Sequence, residues 1–328
     1  MGGRRAAVRR RGDNRSPSPS HRPVGLISIF ALLGPTGAGK TAISLDLAER
    51  LGAEIVSVDS MQVYRGMDIG TAKATLDERR RVVHHMIDIA DPAEPYDVAA
   101  FQRSGREAIA GIKSRGNRVL IVGGSGLHFR ALVDPMEPMP TDVNTRQRIA
   151  AMPVEEVVGR LLEADPEAAE VVDLSNPRRV VRAMEILELT GLTPSHRHKS
   201  DAAVRYRMYE PIEDLSIIGI DPGPDAPSRI AARTRAMLDA GLVEEVRSLG
   251  PGLGPTAREA VGYKEVLSML AGTLAASRLQ EEIERATMGL VKRQRTFFRR
   301  DPRITWLPWS NDLARLAAAA TDHWELAP

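Results

Sequence analysis

The chain has 328 residues, 43% of them apolar and 27% charged, the balance of a globular protein with room for two domains. It contains no cysteine, which excludes disulfides, thiolate metal sites and thiol nucleophiles, and no apolar run nears the roughly 20 residues that cross a bilayer. The net charge of +2 conceals an asymmetry: residues 1–23 hold seven Arg and one Asp, so the rest of the chain is net negative.

Residues 1–23 are rich in Arg, Ser, Pro and Gly and lack the apolar stretch of a secretory signal, so they are expected to be a disordered basic tail. An apolar run, residues 26–33, then leads into Gly34-Pro35-Thr36-Gly37-Ala38-Gly39-Lys40-Thr41 and a helical pattern to Leu51. This is G-x-x-x-x-G-K-[ST] in its context of strand, tight loop and helix. The glycines let backbone N–H groups converge on anionic oxygens, Lys40 adds a cation, and Thr41 offers a hydroxyl to Mg²⁺. The loop is expected to hold a di- or triphosphate.

A second apolar segment, residues 54–58, ends in Asp59. In a parallel sheet the carboxyl ends of strands face one crevice, so Asp59 is expected beside the loop as metal holder, general base or turn cap. Residues 60–73 form a polar loop carrying Gln62, Tyr64, Arg65 and Lys73. The adjacent His84 and His85 point to opposite faces in an extended chain, which suits structural hydrogen bonds better than a shared metal. A strand is expected over residues 86–89. Asp97 caps a predicted helix to about Ser114, and residues 119–122 read as a buried parallel strand. Gly123-Gly124-Ser125-Gly126 follows, with no Asp of the kind that helps hold Mg²⁺ in ATP-hydrolysing proteins of this type; the acidic role falls to Asp59.

Prolines 135, 138, 140 and 153 then punctuate a linker, and helical patterns dominate residues 136–212, which read as an insertion between two parts of one core, 24–135 and 213–328. Asn176-Pro177 starts the clearest of these helices, with Arg178, Arg179 and Arg182 as either a solvated face or a phosphate contact. Residues 215–221 return as a strand, followed by helices over 228–240 (with Arg229, Arg233 and Arg235), 258–270 and 275–300. The last of these crowds Lys292, Arg293, Gln294, Arg295, Arg299 and Arg300 around Phe297 and Phe298, more cations than a helix end requires. A last strand over 304–307 and a short helix complete an α/β chain: a parallel sheet like that of P-loop kinases, flanked by helices, with a helical insertion domain.

Over residues 26–308 the chain resembles the tRNA dimethylallyltransferases. The resemblance rests on the phosphate loop together with Ser57-Val58-Asp59-Ser60-Met61-Gln62-Val63-Tyr64, Gly66-Met67-Asp68-Ile69-Gly70-Thr71-Ala72-Lys73, Gly262-Tyr263-Lys264-Glu265 and Lys292-Arg293-Gln294-Arg295-Thr296. It implies a prenyltransferase that carries a dimethylallyl group from dimethylallyl diphosphate to the exocyclic N6 of the adenosine 3′ to the anticodon, with Mg²⁺ as cofactor. It further implies Asp59 as base and Thr36 and Arg233 at the donor diphosphate. Asp59, Ser60, Met61, Gln62, Ser125, Arg146, Arg178, Arg179, Arg182, Lys292, Arg293 and Arg295 are implied at the tRNA. The chain departs from the family at Ser125 and His128, where Thr and Tyr are usual, at Asp97 in Tyr96-Asp97-Val98, and at Phe297, where Trp is common. Its expected partner is the tRNA anticodon loop, its state a monomer, and its compartment the cytoplasm. Rival readings are prenyl transfer to free AMP and an ATP-dependent small-molecule kinase on the same fold.

Overall fold

A computed structural model describes residues 29–307 and 310–324; the basic tail and the first residues of the apolar run lie outside them. The sequence gives β1 (Ile29–Leu33), α1 (Lys40–Leu51), β2 (Ala53–Val58), α2 (Leu76–Arg81), β3 (His84–His85), α3 (Val98–Ser114), β4 (Arg118–Gly123) and α4 (Gly126–Val133). After the insertion come β5 (Leu215–Ile220) and β6 (Thr305–Leu307). The six strands form one parallel sheet in the order β3-β2-β4-β1-β5-β6. β1 is central, paired with β4 from Ile29↔Val119 to Leu33↔Gly123 and with β5 from Ile29↔Leu215 to Leu33↔Gly219.

Both faces of β1 are buried, which is why it reads as an unbroken apolar run. Ile29, Ala31 and Leu33 join one core with Phe101, Phe129, Tyr263 and Phe298. Phe30 and Leu32 join the other with Ile43, Leu47, Leu316 and Trp324. Because all strands run the same way, Gly34, Asp59, Gly124 and Asp221 leave the sheet at one edge.

The insertion lies between α4 and β5 and comprises α5 (Val143–Ala150), α6 (Val154–Ala164), α7 (Ala168–Val171), α8 (Pro177–Thr190), α9 (Pro194–His198) and α10 (Asp201–Arg207). It has apolar clusters of its own, around Ile149, Val157 and Val180 and around Leu161, Ala168 and Ala183. Asn176 accepts from Arg178 N at 3.1 Å and so starts α8 as its sequence predicts. At the return to the core, the Arg130 guanidinium lies 3.5 Å from the Tyr206 ring centroid and 4.2 Å from that of Tyr209.

The core then adds α11 (Ala226–Asp239), α12 (Leu242–Leu249), α13 (Tyr263–Leu270), α14 (Leu279–Phe298) and α15 (Leu313–His323). Three expectations are corrected. The strand expected over 86–89 lies instead on His84–His85, because Met86 and Asp88 adopt φ of 65° and 58°, which no strand accommodates. The Asp88 carboxylate is held there by Lys73 and Arg79, each at 2.6 Å. The helix expected over 258–270 is broken at Gly262, whose φ of 93° suits glycine, and the helix expected from 275 starts at Leu279 after one 3₁₀ turn. The two histidines have separate partners, His84 Nδ1 with Val82 O and His85 Nε2 with Glu54.

The insertion depends on one buried carboxylate. Glu185 is fully enclosed and accepts from Asp142 N (2.9 Å), Arg146 Nε and Nη2 (3.0 and 2.9 Å) and Arg182 Nη1 (2.8 Å). Glu185→Ala strands these donors and should lower stability by about 3 kcal/mol. Urea unfolding measures this, and an unchanged midpoint would show that Glu185 does not hold the insertion.

Candidate active site

Where β1 ends, the chain turns at Gly34, whose φ is 155° and where a Cβ would stand 2.2 Å from the Ile220 carbonyl oxygen. Only glycine lets the loop pass this close to β5. The loop closes on itself through Lys40, whose Nζ donates to Gly34 O at 2.8 Å and Pro35 O at 2.9 Å. From Thr36 to Thr41 it lines a cavity of about 380 Å³ that also meets Asp59, Gln62, Gly124, Arg229 and Arg233.

The charge pattern of this cavity suits an anion. Burial, and next the charge of Arg233, lower the Lys40 pKa to about 8 against the opposing pull of Asp59. Arg233, on α11, is also shifted down by burial, again opposed by Asp59. Neither cation has an ion pair among the described residues, so they crowd a space that an anion would neutralise. Asp59 lines the same cavity with one oxygen committed: Oδ1 accepts from Met61 N at 2.8 Å and Gln62 N at 3.3 Å. Asp59 therefore caps its turn and still lines the cavity, combining two of the roles its sequence position allowed. A second, smaller cavity of about 90 Å³ shares Thr36, Asp59, Thr71 and Arg233 with the first and has Ile230, Met237, Ile283 and Leu290 in its wall beside Thr234 and Thr287.

Residues 60–73 are fixed rather than loose. Gln62 accepts from Ser57 Oγ at 2.9 Å and donates to Thr71 O at 3.2 Å. Glu245 of α12 accepts from the backbone N–H of Asp68, Ile69 and Gly70, and from the Tyr263 hydroxyl. Lys73 Nζ donates to Tyr64 O at 2.7 Å and pairs with Asp68 and Asp88. Beside Asp59, Ser125 N donates to Val58 O at 3.0 Å, and Ser125 Oγ lies 2.6 Å from His128 Nδ1. The His128 ring meets Phe101 edge-on at 4.4 Å, so an aromatic contact persists at this position, and burial shifts its pKa down.

The candidate residues thus fall into groups. Gly34, Pro35, Thr36, Gly37, Ala38, Gly39, Lys40, Thr41, Asp59 and Arg233 meet at the carboxyl edge of the sheet, with Ser60, Met61, Gln62 and Ser125 beside them. Arg146 and Arg182 are engaged by Glu185 inside the insertion, Arg182 also by the Met139 and Pro140 carbonyls. Arg179 pairs with Asp173 at 3.2 Å, and Arg178 is exposed. On α14, Lys292 and Arg293 are exposed, whereas Arg295 grips Asp221 with two bonds of 2.7 and 2.6 Å. Gln294 and Arg229 stand out in the sequence but their partners do not, and Glu245 carries no local sequence signal. Gln294 Oε1 accepts from Thr36 N at 2.8 Å, Arg229 Nε donates to Gly37 O at 3.1 Å, and Glu245 holds the loop. Each acts across a long sequence separation.

For a cation, the described residues include no cluster of three His, Cys, Asp or Glu side chains. The donor set at the loop is the Thr41 hydroxyl beside an anion-binding cavity, which fits Mg²⁺, an ion that keeps most of its waters and shares phosphate oxygens.

Comparison with known proteins gives a consistent result. The IPP transferase family model matches residues 62–301, and the isopentenyl transferase model residues 27–88. A tRNA dimethylallyltransferase of Salinispora tropica is 45% identical over 287 residues, covering 85% of this chain and 88% of its own. One from Nocardioides sp. is 42% identical over 318 residues, covering 93% and 99%. The full-length tRNA isopentenylpyrophosphate transferase structure from Bacillus halodurans is 33% identical with a TM-score of 0.65, covering 91% of this chain and 97% of that one. A eukaryotic dimethylallyltransferase crystallised acting on tRNA shares the fold at 24% identity and a TM-score of 0.74, covering 92% of this chain and 80% of that one.

The lowered Lys40 pKa sets a pH dependence for anion binding. The protonated form attracts an anion, so the attraction is complete below about pH 8 and is lost as pH rises through that value. Affinity for inorganic diphosphate should therefore fall between pH 7.5 and 9 relative to Lys40→Met, by up to about tenfold per unit. Calorimetric titration of both proteins gives the comparison; parallel pH profiles would remove Lys40 from the site.

Proposed function

The chain belongs to the IPP transferase family, and on that footing we propose that it transfers the dimethylallyl group of dimethylallyl diphosphate to N6 of the adenosine 3′ to the anticodon in tRNA, releasing diphosphate. The observation that carries this reading is the meeting of two cations, without an ion pair among the described residues, and one carboxylate where two cavities share Thr36, Asp59, Thr71 and Arg233. The diphosphate lies against the loop N–H groups, Lys40 and Arg233. The five-carbon chain lies along the side chains of Ile230, Met237 and Leu290 in the second cavity.

The chemistry follows from these positions. The N6 lone pair forms a bond to the terminal carbon of the donor while that carbon's bond to oxygen breaks, and the electrons leave on diphosphate. Lys40, Arg233 and the loop stabilise the growing negative charge. N6 is a weak nucleophile because its lone pair is delocalised, so its proton must be taken as the bond forms; Asp59 receives it. Thr41 would hold Mg²⁺, which when bound neutralises charge on the departing diphosphate. An adenine stacked in an RNA loop cannot reach this cleft, so the nucleotide is extruded into it.

Exposed Arg178 on α8 and exposed Lys292 and Arg293 on α14 support a macromolecular acceptor rather than free AMP. In this reading the chain works as a monomer, in the cytoplasm.

The test is incubation with labelled dimethylallyl diphosphate, Mg²⁺ and either bulk tRNA or AMP, followed by nucleoside analysis. Label is expected on adenosine of tRNA; label on AMP alone, or turnover of ATP without prenyl transfer, overturns the reading. Asp59→Ala should reduce transfer by about 10²–10⁴-fold while tRNA binding persists. Full single-turnover activity in that variant would remove Asp59 as the base.

A further inference from the structure

The phosphate loop is fastened to α14 at a point the chemistry above does not use. Gln294 Oε1 accepts from Thr36 N at 2.8 Å, and its Nε2 lies so near Gly124 that a Cβ there would stand 2.6 Å away. The carboxamide is therefore wedged between the loop after β1 and the turn after β4. One turn further along the same helix face, the Phe297 ring occupies the space where a Cβ on Gly126 would come within 2.1 Å. Between them Arg295 binds Asp221, just after β5, with two hydrogen bonds. One helix is thus tied to the sheet edge at the ends of β1, β4 and β5, and it also carries the exposed cations Lys292 and Arg293.

A buried backbone N–H left without an acceptor costs free energy, so a loop that loses one shifts to regain a partner. Without Gln294, Thr36 loses its partner and the loop its reference to the rest of the edge. We propose that Gln294 is a positioning residue that couples the two substrates: its bond to Thr36 holds the loop in its anion-binding shape, and α14 ties that shape to the RNA-facing cations. This rests on the function proposed above. Anionic RNA on Lys292 and Arg293 restrains α14, the restrained helix holds Gln294 on Thr36, and the loop binds diphosphate more tightly. By linkage, diphosphate tightens RNA binding by the same factor.

The experiment titrates the full chain with inorganic diphosphate, with and without an RNA stem-loop carrying the anticodon. In the wild-type protein RNA should tighten diphosphate binding by about fivefold or more. Gln294→Met keeps the bulk in the slot and removes the acceptor. It should weaken diphosphate about tenfold without RNA, the effect of one amide hydrogen bond, and bring the RNA effect to about one. Gln294→Asn keeps a carboxamide but draws it back from Thr36 by one methylene, and should give the same loss; it keeps the test decisive if Gln294→Met does not fold, which thermal unfolding reveals. Wild-type affinity and RNA dependence in both variants overturn the proposal. Prenyl transfer to tRNA by a wild-type protein that shows no coupling overturns it too, leaving the proposed function intact. A wild-type protein that binds no RNA overturns both.

Discussion

The structure turns on the crowding of Lys40 and Arg233 at one edge of a parallel sheet. Two cations brought together without an ion pair raise each other's electrostatic energy, and a fold keeps such an arrangement where a ligand relieves it. The parallel topology makes the crowding unavoidable. Lys40 opens the helix after β1, and α11, which follows β5, brings Arg233 over the same edge, while Asp59 leaves β2 nearby. The backbone carbonyls that accept Lys40 show where the loop waits.

Around this centre the protein separates recognition from chemistry. In the proposed reading, diphosphate chemistry draws on groups at the carboxyl edge of the sheet, and the cations suited to RNA sit on α8 of the insertion and on the exposed side of α14. The insertion is not simply a basic surface. Arg146 and Arg182 are consumed by Glu185, which needs them to remain a buried carboxylate, and both keep some exposure. Their internal role is to shape the wall on which Arg178 is displayed. α14 belongs to both parts, with Gln294 and Phe297 against the sheet edge and Lys292 and Arg293 in solvent.

Much of the site was legible because its determinants are local. The loop motif specifies strand, turn and helix within a few residues, and Asp97 and Asn176 announce helix starts through bonds spanning two or three residues. Asp59 was legible from its place at the end of an apolar run. What escaped reading depended on distant partners. Nothing near Met86 in the chain signals left-handed backbone, and Asp88, a residue type that tolerates it, is held by Lys73 and Arg79 from elsewhere in the chain. Glu245 resembles any glutamate on a helix until three backbone N–H groups of a loop far earlier in the chain converge on it.

The sequence by itself determined the parallel α/β core, the phosphate loop with its cation and hydroxyl, and the acid beside it, because each is written in hydrophobic period, turn chemistry or spacing within a short window. Only the tertiary structure decided which cations stay without an ion pair among the described residues, that a second cavity lies beside Asp59, and that Gln294 reaches Thr36 from 258 residues away. Such contacts arise when separate elements meet at one sheet edge, and no local pattern encodes which side chains will face each other there.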